Sequence, residues 1–309
     1  MTVLPMALDA ASPSLMLTAG QRRVLIIFNP AAGRGHGRVS TILRQLATFG
    51  CVVTLRETSG PGDAMRIMRD EGAEYDIVAV AGGDGTINEA ANGMGDRPDS
   101  PVLAIIPCGT ANVLAWEIGL GTDATRTGRT IAEGQPVAVH TGLVNGRRFL
   151  MMAGVGFDAA VVASVNPRLK RALGKMAYVW RMTVELFRYD FPMFTVTIDG
   201  TAHQAASAVI AKGHFYGGQF VCAPDARVTD PSFEICLFLR GGRWNVLRYS
   251  VALALGRLSK LSSVRILRGR HIVIDGPPGS PVQADGELVA ELPVTIELSP
   301  QRLSLLFPS

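Results

Sequence analysis

An apolar strand followed by a glycine-rich turn with one aspartate is the feature that most constrains this sequence. Residues 76–80 have the composition of a buried parallel strand, and Ala-Gly-Gly-Asp-Gly-Thr-Ile-Asn-Glu follows at 81–89. The residues after Thr86 are typical of a helix start. Glycine allows backbone N–H groups to converge on an anion, and the helix dipole favours negative charge at that end. The segment therefore predicts a phosphate site.

Asp84 lies inside this turn, where its carboxylate would repel a phosphate unless a divalent cation lay between them. The pattern thus favours a metal–nucleotide complex with Asp84 facing the cation. The alternative is an ordinary glycine turn in which Asp84 caps the next helix, because short motifs of this kind also occur by chance.

Two further turns follow apolar strands in the same way. Asn-Pro-Ala-Ala-Gly at 29–33 comes after the strand predicted at 24–28, and Pro-Cys-Gly-Thr-Ala-Asn at 107–112 comes after the strand predicted at 102–106. Three such turns would share the carboxyl edge of one parallel sheet, which is where open α/β folds bind their ligands.

The spacing of apolar residues changes near Pro136. Before it, strands alternate with helices, which predicts a parallel sheet covered on both faces. After it, the pattern is rich in strands and mainly antiparallel, beginning with a hairpin around Asn145-Gly146. The predicted helices are 38–49, 63–71, 86–94, 123–133, 168–188 and 243–259, and the later strands are 137–144, 147–153, 194–198, 205–211, 233–239, 264–267, 272–274, 282–284, 294–298 and 302–307.

The division of the chain follows from this change. The expected parts are a mostly disordered leader (1–21), a nucleotide-binding α/β domain (22–136), a β-rich domain (137–298) and a C-terminal segment (299–309) whose strand could stay in the second domain or return to the first.

Composition restricts the class of protein. The chain has 309 residues, 48% of them hydrophobic, which is enough for one large or two medium domains. Its four cysteines have no C-x-x-C spacing, which favours free thiols in a reducing compartment. The longest uncharged apolar run near the middle, 149–157, is too short to cross a bilayer. We expect a cytoplasmic protein that is soluble or peripheral on a membrane.

The net charge of +4 is unevenly distributed. Between Arg240 and His271 the chain has eight Arg or Lys residues and no Asp or Glu, and a second basic group consists of Arg168, Lys170, Arg171 and Lys175. Solvated surface is one interpretation, and attraction to anionic lipid headgroups is the other. Nucleic acid is disfavoured because no known nucleic-acid-binding module accompanies the charge.

At its three turns the sequence resembles the catalytic family of diacylglycerol, sphingosine and ceramide kinases, particularly the compact bacterial members. The matching motifs are N-P-x-x-G at 29–33, G-G-D-G-T-x-N-E at 82–89 and G-T-x-N-x-x-A at 109–115. The resemblance implies an α/β N-terminal domain like that of NAD kinases and phosphofructokinases, with a parallel sheet, and an antiparallel β-rich C-terminal domain. It also implies that the last strand returns to the first domain.

The same resemblance implies a lipid kinase that uses ATP and Mg²⁺ to phosphorylate a hydroxyl of diacylglycerol, ceramide or a sphingoid base. Its partners would be the lipid substrate and the anionic inner face of a membrane, and a homodimer is left open. The implied nucleotide contacts are Asn29, Pro30, Ala31, Ala32, Gly33, Thr58, Gly82, Gly83, Gly85, Thr86, Ile87, Asn88, Glu89, Gly109, Thr110 and Asn112, with Asn88 and Glu89 either ordering the turn or contacting nucleotide.

Asp84 and Glu287 are the expected catalytic residues. Asp285-Gly286 between alternating strands is typical of a hairpin turn, so that Glu287 could be an exposed side chain. The resembling family, however, has D-G-E near its C-terminus with this glutamate as general base, which suits a carboxylate that accepts the proton of an attacking hydroxyl.

Two carboxylates at 225 and 230 suggest a second cation site. On residue chemistry alone, Asp225 and Asp230 could wrap one Mg²⁺ or could form a polar turn. The resemblance implies a structural Mg²⁺ held by both side chains and by the carbonyl of Val228. Relatives continue G-L-L/F-D, whereas this chain has Pro-Ser-Phe-Glu at 231–234.

Two other departures affect the predicted function. Bacterial diacylglycerol kinases commonly read G-T-x-N-D-F at the third turn, but Val113 replaces the aspartate here. In addition, residues 154–159 fit G-x-G-x-x-A, although no acidic residue follows at the distance that a dinucleotide site needs. The rival functions are NAD kinase, which shares G-G-D-G-T, and a catalytically inactive nucleotide- or lipid-binding regulator.

Overall fold

The computed structural model describes residues 22–33, 35–95, 100–165 and 175–308. The predicted leader and Arg168, Lys170 and Arg171 lie outside them. The elements of the first part are β1 (Arg23–Phe28), α1 (Gly35–Thr48), β2 (Val52–Glu57), α2 (Asp63–Glu71), β3 (Ile77–Gly82), α3 (Asp84–Gly93), β4 (Val102–Pro107), α4 (Val113–Glu117), α5 (Ala124–Glu133) and β5 (Gln135–Val139).

The second part contains two longer helices among short strands. Its elements are β6 (Gly142–Val144), β7 (Arg147–Phe149), β8 (Met152–Val155), α6 (Phe157–Ser164), α7 (Lys175–Arg188), β9 (Phe194–Ile198), β10 (Thr201–Ala205), β11 (Ser207–Ala211), β12 (Phe215–Tyr216), β13 (Phe220–Val221), β14 (Phe233–Phe238), α8 (Arg243–Ala254), β15 (Val264–Gly269), β16 (His271–Asp275), β17 (Pro281–Ala284), β18 (Glu287–Glu291), β19 (Val294–Leu298) and β20 (Leu303–Phe307).

A six-stranded sheet organises the first domain, in the order β2-β1-β3-β4-β20-β5. All neighbouring pairs are parallel except β20 and β5. The strands β1 and β3 are buried almost throughout, because helices cover both faces of the sheet. The carboxyl ends of β1, β3 and β4 therefore lie side by side.

The second domain consists mainly of two six-stranded sheets, ordered β10-β9-β16-β19-β6-β7 and β15-β14-β11-β8-β17-β18. Both sheets contribute to one apolar core, which contains Phe149, Phe194, Phe233, Ile272 and Val282. Their pairings are antiparallel. The predicted fold class, a parallel α/β domain followed by an antiparallel β-rich domain, is confirmed.

The prediction of one continuous strand at 137–144 is wrong, because the chain passes from one sheet to another within this segment. Val139 pairs with Leu303 in the first sheet, whereas Gly142 pairs with Phe149 in a hairpin of the second domain. Apolar alternation continues through both strands and so conceals the break between them. The hairpin turn at Asn145-Gly146 is where the sequence places it, with both residues at positive φ.

Other boundaries also differ from the expectation. The helix predicted at 243–259 ends at Ala254, just before Gly256 at φ 62, a conformation that favours glycine. Helix α6 and strand β18 were not predicted, since α6 has little amphipathic pattern and β18 is short.

Candidate active site

The three glycine turns meet at the carboxyl edge of the first sheet. The side-chain amide of Asn29 donates to Thr86 Oγ1 at 3.0 Å, which ties the first turn to the second. The backbone N–H of Cys108 donates to the carbonyl of Gly82 at 2.9 Å, which ties the third turn to the second. The structure thus brings together the residues that the three motifs assign to a phosphate site.

Gly83 and Gly109 are in direct backbone contact. A Cβ atom on Gly109 would lie 2.5 Å from the Cα of Gly83, closer than real carbon atoms approach. Asn112, at φ 50, fixes the third turn: its side chain accepts from the N–H of Gly109 at 2.8 Å and donates to the carbonyl of the same residue at 2.9 Å. Glycine at position 109 is therefore a packing requirement.

Asp84 is the first residue of α3 and lies against the start of α4. Its Oδ1 accepts the backbone N–H of Val113 at 2.7 Å. Burial raises the pKa of Asp84, the negative charge of Asp285 raises it further, and hydrogen bonds from the N–H groups of Val113, Leu114 and Asn112 oppose the rise. A cation would offset both unfavourable effects, so this carboxylate fits a magnesium ligand. The N–H groups of α4 hold Asp84 in place although residue 113 is not acidic.

The turn between β17 and β18 connects the two domains. Asp285 and Gly286 have φ values of 49 and 80, as a tight Asp-Gly hairpin requires. The carboxylate of Asp285 accepts the N–H groups of Leu150, Met151 and Met152, and it accepts the side-chain amide of Asn88 at 2.7 Å. The sequence predicts Asp285 only as part of a turn, whereas its hydrogen bonds in the structure fix the position of the turn that carries Glu287.

Glu287 comes from the second domain and lies over the phosphate turn of the first. A Cβ atom added to Gly85 would be 2.8 Å from Glu287 Oε1, so this oxygen is next to the residue that follows Asp84. The other oxygen, Oε2, lies 3.3 Å from a guanidinium nitrogen of Arg147. With its side chain 40% exposed, the carboxylate of Glu287 is accessible from the cleft. Arg147 was not among the residues predicted from the sequence.

Asn88 and Glu89 have separate structural tasks. Asn88 bonds Asp285 across the domain boundary. Glu89 accepts the backbone N–H groups of Gly62 and Ala64 at the start of α2, and burial raises its pKa, with a smaller contribution from the charge of Glu287. These contacts agree with an ordering role for both side chains, which is one of the two alternatives drawn from the sequence.

The remaining predicted nucleotide residues differ in accessibility. Ile87 is fully buried in the core, so its side chain does not face the cleft. Thr58 is also buried, and its N–H donates to the carbonyl of Phe28 at 2.8 Å. Thr110 is exposed, and at Gly33 no atom lies within 4 Å of an added Cβ, so both border open space. Pro30, Ala31 and Ala32 form the first turn, in which the N–H of Ala31 donates to Asn29 Oδ1 at 3.0 Å.

The loop predicted to hold a structural Mg²⁺ makes several hydrogen bonds of its own. The carbonyl of Val228 already accepts the N–H of His140 at 2.7 Å. Lys212, whose side chain is fully buried, extends its ammonium into the loop and donates to the carbonyls of Arg227, Asp230 and Ser232 at 3.3, 2.5 and 3.1 Å. The ammonium of Lys212 thus lies beside Asp230, one of the two carboxylates expected to bind the ion.

The G-x-G-x-x-A segment at 154–159 forms a buried hydrogen-bond network and not a dinucleotide site. Asp158, in the first turn of α6, is buried, and this burial raises its pKa. It accepts the hydroxyl of Tyr216 and, at 2.7 Å, the side-chain amide of Gln283. Gln283 in turn accepts the N–H of Gly286 at 2.9 Å. The segment thus supports the turn that carries Glu287.

Comparison with known proteins agrees with this arrangement. Residues 23–144 match the model of the diacylglycerol kinase catalytic domain, and residues 151–307 match that of the YegS C-terminal NAD kinase beta sandwich-like domain. The chain belongs to this diacylglycerol kinase-like family. It is a lipid kinase, and the resemblance found in its motifs is confirmed.

The relatives of this lipid kinase match it over nearly their whole length. A diacylglycerol kinase of Bacillus subtilis (strain 168) is 26% identical over 88% of the chain and 92% of its own length. A diacylglycerol kinase of Staphylococcus carnosus (strain TM300) is 26% identical over 93% of this chain and 96% of its own length. A solved structure named as a diacylglycerol kinase of Bacillus anthracis str. Sterne has a TM-score of 0.75 at 23% identity, covering 94% of this chain and 98% of its own, and shares the fold.

In the part of the lipid kinase that the structure describes, no helix combines the length and apolar character needed to span a membrane.

Proposed function

We propose that this lipid kinase transfers the γ-phosphate of ATP, in a Mg²⁺-dependent reaction, to a primary hydroxyl of a membrane lipid. The observation that carries the proposal is the position of Glu287 over Gly85, next to Asp84. An acceptor-side carboxylate from one domain and a phosphate turn from the other lie together, although about two hundred residues separate them in the chain.

In this reaction each residue has a distinct task. The turns at 29–33, 82–85 and 109–112 bind the phosphates of ATP, and Asp84 holds Mg²⁺. When bound, that ion neutralises charge on the phosphates. Glu287 accepts the proton of the lipid hydroxyl as its oxygen attacks the γ-phosphorus and the bond between the γ-phosphorus and the bridging oxygen of ADP breaks. The products are ADP and the phosphorylated lipid.

Arg147 and Asp285 assist without exchanging protons. The guanidinium of Arg147 holds Glu287 on one side, while the backbone bonds of Asp285 fix the turn beneath it. Because the pKa of Asp84 is raised in the metal-free protein, Mg²⁺ binding should weaken on the acid side at a pH above the ordinary pKa of an aspartate, about 3.9. Protonation of Asp84 removes the charge that a cation needs.

Diacylglycerol is the first acceptor to test, since relatives with this name match most of the chain. Ceramide and a sphingoid base are the other lipids of the proposal, because Val113 stands where diacylglycerol kinases commonly have aspartate. The lipid would be met at an anionic membrane surface on the cytoplasmic side, to which the basic segment between Arg240 and His271 would be attracted.

The deciding experiment offers labelled ATP and Mg²⁺ to the purified protein with diacylglycerol, ceramide or sphingosine in mixed micelles, or with NAD. We expect label in one lipid product and none in NADP. Label in NADP alone would show an NAD kinase, the rival that shares G-G-D-G-T. ATP binding with no labelled product, in a protein that melts cooperatively, would indicate an inactive regulator.

A further inference from the structure

Helices α7 and α8 expose large apolar side chains on one surface of the second domain. Trp244 is 84% exposed, Trp180 is 61% exposed and Phe187 is 63% exposed. The apolar face, as we call this surface, consists of Trp180 and Phe187 from α7, Trp244, Leu247 and Val251 from α8, and Leu255 just after α8. Large apolar side chains that are exposed together on a protein surface mark an interaction site.

The spacing along α8 shows that this exposure is a surface property and not incomplete packing. Residues 244, 247, 251 and 255 recur at intervals of three and four and so form one stripe of the helix. The opposite side of α8 is already packed, with Tyr249 and Ala252 buried. Val246 packs against a cluster formed by α6 and α7. The outward stripe thus remains after the helix has completed its contacts with the protein.

Positive charge borders the apolar face on its α8 side. Arg243, Arg248, Arg257 and Lys260 are exposed in and just after α8, and the chain between Arg240 and His271 has no acidic residue. The guanidinium of Arg243 lies 5.0 Å from the ring centre of Phe187 and bridges the two helices. Indole rings with aliphatic side chains, bordered by arginine and lysine, are the composition of helices that lie in the interface of an anionic bilayer.

The apolar face is also connected to the catalytic cleft. The hairpin of β12 and β13 contacts α4 on one side and α8 on the other, and its Phe220 is exposed. Tyr216 of the same hairpin bonds Asp158 in α6, and α6 packs against α7. A bilayer at the apolar face would therefore border the side of the cleft where Asp158 supports the Glu287 turn.

We propose that the apolar face inserts shallowly into an anionic lipid bilayer, with the stripe of α8 below the headgroups and the arginine and lysine rim at their phosphates. Only the purpose of this contact, delivery of the lipid hydroxyl to Glu287, rests on the proposed function. The insertion itself rests on the exposed stripe and its charge.

The test uses the tryptophans of the protein as depth probes. The chain has three, at 116, 180 and 244, so Trp116→Phe with Trp180→Phe leaves Trp244 alone. Vesicles of phosphatidylcholine and phosphatidylglycerol that carry bromine on the acyl chains should quench Trp244 fluorescence strongly and shift its emission to the blue. Unchanged emission from Trp244, measured where the protein sediments with the vesicles, would overturn the proposal.

Substitutions then separate insertion from folding and from catalysis. Trp244→Ser with Val251→Ser should weaken vesicle binding at least tenfold without any change of charge. The matched control is Phe49→Ser with Leu55→Ser, two exposed apolar residues of the first domain, which should leave binding unchanged. Equal loss in both pairs would contradict an insertion surface.

Two further measurements show whether a bilayer or a second copy of the chain covers the apolar face. They also separate membrane insertion from lipid kinase activity. Sedimentation velocity without lipid should give the same mass for wild type and for Trp244→Ser. A dimer that Trp244→Ser dissociates, with no vesicle quenching, would show that a second copy covers the face. Activity on detergent-dispersed lipid should be retained in the serine pair. Quenching of Trp244 by a protein that phosphorylates no lipid would refute the function and leave the insertion surface standing.

Discussion

Asp84, where the glycine turn meets the start of α3, and Asp230, in the loop at 225–232, both belong to segments that the sequence assigns to magnesium, but the two segments differ in what lies against them. At the first, the N–H groups of α4 hold a buried carboxylate whose pKa is raised by burial and by a neighbouring negative charge. At the second, the ammonium of Lys212 occupies the loop interior and bonds three carbonyls. The first segment suits a bound cation, whereas the second contains a cation of its own.

The difference shows what a motif of carboxylates leaves open. A pair of aspartates at a suitable spacing indicates a need for positive charge but not its source. Lys212 comes from the end of β11, thirteen residues before Asp225, and reaches the loop only because the strand is folded against it.

The largest effect is expected at Asp84. Asp84→Asn keeps the size of the side chain but removes its charge, so turnover should fall by roughly 10³–10⁵-fold, the range for losing one charged group that stabilises a transferring phosphoryl. Steady-state rates at saturating ATP and Mg²⁺ measure this. Asp225→Asn is the matched control in the loop at 225–232 and should keep nearly full activity. Equal losses in both variants would end the distinction between the segments.

The next largest effects are expected at Glu287 and Asp285, two carboxylates of one turn whose substitutions should have different consequences. Glu287→Gln should lower kcat by roughly 10²–10⁴-fold with ATP affinity and unfolding free energy nearly unchanged, because the residue acts on the acceptor proton. Asp285→Asn, in contrast, should lower the unfolding free energy by about 1–3 kcal/mol, because the variant loses a carboxylate oxygen that accepts buried N–H groups.

Glu291→Gln, at the exposed far end of β18, provides the control for this pair. Both kcat and stability should remain at wild-type values. If Glu287→Gln is as silent as this control, Glu287 is not the general base and the hairpin interpretation of Asp-Gly-Glu is sufficient.

Much of this centre could be predicted from the sequence, because its parts are local. A glycine turn after a buried strand and an Asp-Gly pair between alternating strands each follow from neighbouring residues. The contacts that could not be predicted are those between segments that are far apart in the sequence. The bond from Asn88 to Asp285, the ion pair of Arg147 with Glu287 and the filling of the 225–232 loop by Lys212 all depend on how the two domains and their sheets pack.

The same reason accounts for the error at 137–144. Alternation of apolar residues predicts a strand but does not state which sheet it joins, and here Val139 and Gly142 join different ones. Helix α6 was overlooked because Val161 and its neighbours give almost uniform hydrophobicity, which resembles a buried strand as much as a buried helix.

A smaller effect, on stability, is expected at Lys212. Lys212→Met removes the donor to three loop carbonyls and should lower the unfolding free energy by about 2–4 kcal/mol. Lys260→Met changes an exposed lysine and should lie within about 0.5 kcal/mol of wild type. Denaturant titration of both variants provides the comparison, and an equal response would show that the lysine in the loop is dispensable.

The stability difference between wild type and Lys212→Met should also depend on pH, which provides a second check on the role of Lys212. Burial lowers the pKa of Lys212 to about 8, so between pH 8 and the value near 10.5 of an unfolded lysine, the unfolded chain holds a proton that the folded protein lacks. The stability of wild type relative to Lys212→Met should therefore rise with pH in that window, by at most about 1.4 kcal/mol per unit, and should be flat below it. A difference that falls with pH would contradict this.

The smallest expected effect is that of magnesium removal on melting. Because Lys212 already provides the charge in the 225–232 loop, EDTA should abolish activity and leave the melting midpoint of the nucleotide-free protein within about 1 °C, whereas a tightly bound structural ion would change it by several degrees. Calorimetry with and without EDTA measures the shift. A large shift that disappears in Asp225→Asn would restore a structural ion to the loop.

The position of β20 has a consequence for biosynthesis. This strand comes from the last residues described, yet it lies between β4 and β5, pairing with both. While the ribosome is still making the second domain, β4 and β5 are present without the strand that joins them. The first domain in the chain is therefore completed only after the second domain has been synthesised.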